Sequence, residues 1–150
     1  MAGGAQAERN LHRLRVLIVV VILIVSIQAW TGDFVNVFVA PSQGVAPYSF
    51  TVAGFLQGVE SLGPFLIWHA LEGLLIFALS LALLLLSFRW STKRSVRVCA
   101  ALGTLFVVVA GLGGILFVLS GFSDGGSSMQ MGGSFLGVYA MYFIELYFTK

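Results

Sequence analysis

The sequence predicts an all-α integral membrane protein, a four-helix bundle with its N-terminus and C-terminus both cytoplasmic. Three observations predict it. Of 150 residues, 59% are hydrophobic and 9% charged, with a mean hydropathy of +1.00, whereas soluble domains carry roughly 25% charged residues. Four apolar runs are each long enough to cross a hydrocarbon core about 30 Å thick, which takes about 20 helical residues. All eight Lys and Arg residues fall on one side of those runs. Cytoplasmic flanks are the ones enriched in such residues, so the bundle reads as a multi-pass protein of the cell membrane.

The chain reads as a single domain. Its first run, residues 14–38, follows the basic lead RNLHRLR; this lead resembles the start of a signal peptide, but the sites near Ala29 lack a clean pair of small residues. A retained helix is the expectation. The second run, 64–89, opens on Pro64, which suits a first helical turn, and contains LLIFALSLALLLLSF. The third, 96–120, is interrupted only by small residues, with Ala100, Gly103, Ala110 and Gly114 on one face; the fourth, 129–148, carries Gly133 and Gly137 as a GxxxG pair. Packing inside the monomer is the expected use of both. The loop 40–62 is punctuated by Gly and Pro, then spaces Phe50, Phe55, Leu56, Val59 and Leu62 helically, which predicts a short interfacial helix over the outer end.

Charge placement carries the orientation. Arg9, Arg13 and Arg15 precede the first helix, Arg89, Lys93, Arg94 and Arg97 lie between the second and third, and Lys150 follows the fourth. The opposite side holds Glu60 and Asp124 and no base. The +2 net charge therefore encodes topology, and nucleic acid is not an expected partner; the lipid bilayer is. One cysteine, Cys99, excludes an intrachain disulfide or a cysteine zinc site and reads as packing. Phosphate-loop, nucleophile-elbow and HExxH motifs are absent, so a soluble-type active site is not expected.

Ionisable side chains within a membrane helix are expensive and invite a functional question. His69 and Glu72 sit at i and i+3 in WHALEG, with Gly73 one turn below His69, and so form a polar notch on one face. Gln28 and Asn36 on the first helix complete a polar cluster with Glu72, near Asp33. A purely structural account is a hydrogen-bonded pair that holds the helices together. The functional account makes His69 an axial ligand of haem b, with Met129 or Met131 as the second ligand, because His12 lies about a membrane away. Glu145, near the inner end of the fourth helix, is a candidate proton site or the partner of an inner base such as Arg89. No continuous polar track links it to Glu72.

The stretches GDFVNVFV, GPFLIWHALEG and SSMQMGG resemble a family of small prokaryotic four-helix membrane proteins whose function is uncharacterised. The resemblance spans most of residues 14–148 and implies architecture. The layout is also similar to four-helix cytochrome b modules, in which histidines on the helices hold haem; here His69 alone corresponds, and the fourth helix has no histidine. DoxX-type proteins are a further resemblance, through the acidic residue and glycine at Glu72 and Gly73. Two functions follow. The first is a non-catalytic accessory subunit of a larger membrane complex, docking through the glycine-rich face of the third helix and the aromatic face of the fourth (Tyr139, Tyr142, Phe143, Tyr147). The alternative is a b-type haem electron-transfer module built on His69.

Overall fold

The computed structural model describes residues 2–39 and 45–150, and every regular element among them is helical. Helix α1 spans Ala2–Phe34 and runs on through a π-helical turn, Val35–Val39; α2 spans Val52–Ser61, α3 Pro64–Trp90, α4 Arg94–Leu119 and α5 Gly125–Phe148. Three segments are long and apolar enough to cross a membrane: Gly4–Phe38, Pro64–Trp90 and Arg94–Leu119. These make the chain a membrane protein with transmembrane helices. Glycine, serine and tyrosine dilute the apolar content of α5, which is why it does not join them.

Two helices start a turn or more before their expected bounds, and α4 starts two residues before its own. The lead of α1 is rich in good helix formers and carries Gln6 and Asn10 one turn apart, hydrogen-bonded at 2.9 Å, so the helix continues back to Ala2. At α5 the Asp124 carboxylate accepts from the Gly126 N–H at 3.0 Å and from the Ser127 hydroxyl, which caps the helix at Gly125. The expected interfacial helix is α2. Thr51 caps it through the Gly54 N–H at 3.0 Å, and its Val59 packs with Leu66, Phe117, Val118 and Phe122 over one end of the bundle. Residues leading into α2 are pinned to the end of α4 by Val45 N–H to Gly121 O and Tyr48 N–H to Leu119 O, both 2.9 Å. A Cβ at Gly121 would lie 2.1 Å from Val45 O, so only glycine fits that turn.

The four long helices form a ring in the order α1, α3, α4, α5, each packed on its two neighbours, with α4 and α5 the most extensively joined. Each buries a seam spaced in threes and fours: Leu14, Ile18, Val21, Val25 on α1; Ile76, Ser80, Leu83, Ser87 on α3; Val96, Ala100, Gly103, Val107, Ala110 on α4; Ser134, Val138, Tyr142, Glu145 on α5. A 3.5-residue repeat keeps a seam on the partner helix along its length. The small residues of α4 serve this seam: a Cβ at Gly103 would stand 2.3 Å from the Tyr142 ring. The GxxxG of α5 splits in use, with Gly137 against the Phe106 ring and Gly133 facing open space.

All eight basic residues gather at the end of the bundle opposite α2. The Arg15 guanidinium donates to Thr149 O (Nε at 2.8 Å) and Lys93 Nζ to Phe148 O at 2.9 Å, so a base of α1 and one from the turn before α4 cap the carbonyl end of α5. Arg97 donates to Ser91 O at 2.8 Å and lies over the Phe88 ring.

Candidate functional site

The polar notch forms where α1 and α3 face each other towards the α2 end. His69 and Glu72 are the sixth and ninth residues of α3, about 7.5 and 12 Å along its axis from Pro64. Opposite them α1 presents Gln28, Thr31 and Gly32. Trp68 Nε1–H donates to Glu72 Oε1 at 2.6 Å and the Thr31 hydroxyl donates to Glu72 Oε2 at 2.7 Å, so both carboxylate oxygens accept. Thr31 Oγ1 also lies 3.0 Å from His69 Nδ1, and Gln28 Nε2 lies 3.1 Å from His69 Nε2 and 3.0 Å from His69 O.

Proton counting assigns the directions. A threonine hydroxyl carries one proton, and its shortest bond gives that proton to Glu72, so it accepts from His69 Nδ1–H. His69 Nε2 is then bare and accepts from the Gln28 amide. A relay results, Nδ1–H to Oγ1–H to Oε2. Gly32 makes the approach possible, because a Cβ there would meet His69 Cε1 at 2.9 Å. Glu72 is only 7% exposed, whereas Trp68, 59% exposed, covers the notch on its outer side while turning its N–H inwards. The side-chain oxygen of Gln28, Oε1, is buried without a partner among the described residues.

The structure joins His69, Glu72 and Gln28 and leaves three other expected residues outside. Asn36 is exposed and donates to Ser128 Oγ on α5 at 3.1 Å, because eight residues place it about 80° around an α-helix from Gln28 and the π-helical turn shifts it further. Asp33, also expected nearby, is exposed. Met129 is 80% exposed, and Met131 packs on α4, its Sδ 3.5 Å from where a Gly114 Cβ would stand. Neither methionine faces α3, which lies diagonally across the ring from α5. A haem does not fit these residues as folded: both ring nitrogens of His69 are engaged, and Gly32 backs directly onto its ring. Thr31 and Trp68 complete the notch and were legible only as i+3 from Gln28 and i−4 from Glu72.

A second polar group occupies the bundle core towards the basic end. Glu145 is 0% exposed and accepts from Ser87 Oγ at 2.7 Å through Oε1; its Oε2 is buried without a partner. The ion pair expected with Arg89 does not form, because α3 turns Arg89 to the exterior and Ser87 to the core. One turn away on α5, the Tyr142 hydroxyl is also buried and unpartnered, as is Ser80 Oγ. Thr104 donates to Ala100 O at 2.9 Å and lies 3.2 Å from Ser80 O. Between Glu72 and Ser80 stands the buried Ile76, so the two polar groups are separated by an apolar layer. No group of three or more metal-ligating side chains occurs among the described residues.

Fold and site together define a helical membrane protein with one carboxylate, Glu72, held on a membrane-capable helix by hydroxyl and indole groups, and a second, Glu145, buried in the bundle core against a hydroxyl. No family model matches the chain, and neither the curated proteins nor the solved structures contain a match.

Proposed function

We propose that the chain is a four-span, multi-pass protein of the cell membrane with both ends cytoplasmic, serving as a non-catalytic accessory subunit docked by α5 against a transmembrane helix of a larger complex. The observation that carries this reading is the second seam of α5. Met129, Gly133, Leu136, Ala140, Phe143 and Tyr147 are all exposed and spaced 4, 3, 4, 3, 4. Large residues alternate with small ones from Met129 to Phe143, and Tyr147 follows as a further large one. Lipid chains make no demand for such alternation, whereas a partner helix seats its side chains over the small positions. The faces expected from sequence narrow to this one, because Tyr142 and the small-residue seam of α4 are turned inwards. The polar notch supports the same reading, since its groups bond to one another and clasp α1 to α3.

A photo-crosslinking residue at Leu136, with Leu85 on the exposed side of α3 as the control, tests the docking. In native membranes the Leu136 site should give a discrete adduct with another membrane protein that is lost in Ala140→Phe. Adducts with lipid alone, or of twice the chain mass, would sink the proposal. Under the same reading a reduced-minus-oxidised spectrum of the purified protein shows no haem absorbance; a haem spectrum abolished by His69→Ala would replace it with the electron-transfer alternative.

The span count and orientation are supported by the length of α5, about 36 Å, and by the eight basic residues at one end. In a Cys99→Ala background, an impermeant maleimide should label Ser123→Cys from outside and Thr92→Cys only from the cytoplasm, both positions being exposed. The reverse pattern inverts the topology.

A further inference from the structure

The basic end contains a cleft that its helix-capping duties leave over. Arg15, Lys93 and Arg97 donate to backbone carbonyls, Arg9 donates to Gln6 at 2.9 Å, and Lys150 lies over the Tyr147 ring. Among the described residues, the side chains of Arg13, Arg89 and Arg94 make neither a hydrogen bond nor an ion pair. Two of these three line one cleft of about 430 Å³ between α1 and α3, together with Gln6, Asn10, Leu86 and Trp90.

From this geometry we infer that the cleft binds a phosphate anion, the headgroup of an anionic phospholipid of the inner leaflet, between the guanidinium groups of Arg13 and Arg89. Arg13 and Arg89 line the one cleft from two different helices, and guanidinium matches phosphate geometry through paired N–H donors. No carboxylate lines the cleft to neutralise them. Leu86, about one turn further into the membrane than Arg89 and Trp90, borders it on the side where the glycerol and first methylenes of a lipid would lie, and Trp90, the last residue of α3, suits an interfacial depth. Basic clefts between membrane helices on the cytoplasmic side are a recurrent form of headgroup site. Arg94, equally free, stands outside the cleft and serves as an internal control.

Native mass spectrometry of the full chain in detergent, with phosphatidylglycerol, phosphatidylcholine or inorganic phosphate added, tests the inference. The wild-type chain should retain phosphatidylglycerol about tenfold more than phosphatidylcholine, each nearby basic residue contributing several-fold. Arg13→Gln/Arg89→Gln should reduce that preference to about twofold or less, and Arg94→Gln should leave it unchanged. Arg13→Lys/Arg89→Lys should keep an intermediate preference, and matched thermal melts separate lost binding from lost folding. Equal retention by wild type and the Gln pair overturns the site, as does an equal loss in Arg94→Gln. Binding of millimolar inorganic phosphate without a lipid preference overturns the phospholipid assignment in favour of a soluble anion.

Discussion

Replacing Thr31 by Val keeps the shape of the side chain and removes a hydroxyl that joins α1 to both His69 and Glu72 of α3. Glu72 Oε2 loses its 2.7 Å donor and His69 Nδ1 its 3.0 Å acceptor. An unsatisfied buried polar group costs about 1–3 kcal/mol in a soluble core. Interhelical hydrogen bonds in membranes measure lower, about 0.6 kcal/mol on average and about 1.7 at most, because the separated helices also find partners. Two bonds broken at one site give an expected loss of about 1–3 kcal/mol for Thr31→Val, with Thr31→Ser close to wild type. The assay is reversible unfolding in mixed micelles, run as a double-mutant cycle with Glu72→Gln. The coupling between the two positions should be about 0.5–1.5 kcal/mol. If Thr31→Val matches Thr31→Ser, or the coupling is zero within error, the hydroxyl is not the link and the proton relay derived from it fails.

Three further outcomes follow from packing and capping. Gly103→Ala would push a methyl to 2.3 Å from the Tyr142 ring and should cost about 1–3 kcal/mol by overpacking, read in the same unfolding assay, whereas Gly111→Ala, on open space, should be neutral or slightly stabilising. Ser87→Ala removes the one hydrogen-bond donor that Glu145 has among the described residues and should destabilise by about 1–3 kcal/mol, with Ser87→Thr retaining most of the stability. The Asp124 carboxyl is held below the usual carboxylate range, chiefly by the Ser127 hydroxyl and then by the Ser127 and Gly126 N–H groups. A lowered folded-state pKa contributes stability above the unfolded value and loses it as pH falls through the folded one. Hydrogen exchange corrected for intrinsic rate should therefore show the first turn of α5 losing protection on acidification, and Asp124→Asn should abolish that pH dependence.

The long helices were legible because apolar runs of that length have few other uses, and α2 because its apolar residues recur at helical spacing beside turn residues. The early start of α5 was less visible: Gly125 and Gly126 read as a turn, and only the Asp124 cap makes them helical. His69, Glu72 and Gln28 were recognisable as a site because polar side chains are rare in such segments. Their partners were harder to see. Threonine and tryptophan are ordinary membrane-helix residues, so nothing in Thr31 or Trp68 alone marks them as hydrogen-bond donors to a carboxylate. Asn36 misled because eight residues already carry an α-helix about 80° past Gln28, and the π-helical turn takes Asn36 further round still. Met129 misled because depth along a helix says nothing about the direction in which a side chain points.

A common rule underlies both polar groups. Gln28 follows Leu14, Ile18, Val21 and Val25 at the next seam position of α1, and Ser80, Ser87 and Glu145 sit at seam positions of α3 and α5. Apolar residues there would pack equally well in any rotation that keeps the seam inward, since lipid and leucine side chains are alike in polarity. A carboxylate and its donor do not tolerate such slippage, because each must find the other or remain unsatisfied in a medium without water. One pair ties α1 to α3 near the α2 end, and the other ties α3 to α5 across the ring near the basic end. Together they fix the rotation of three helices, and so determine which side of α5 remains outward. The exposed seam from Met129 to Tyr147 is then a consequence of the buried hydrogen bonds, which predicts that Ser87→Ala weakens Leu136 crosslinking even though Ser87 is nowhere on that surface.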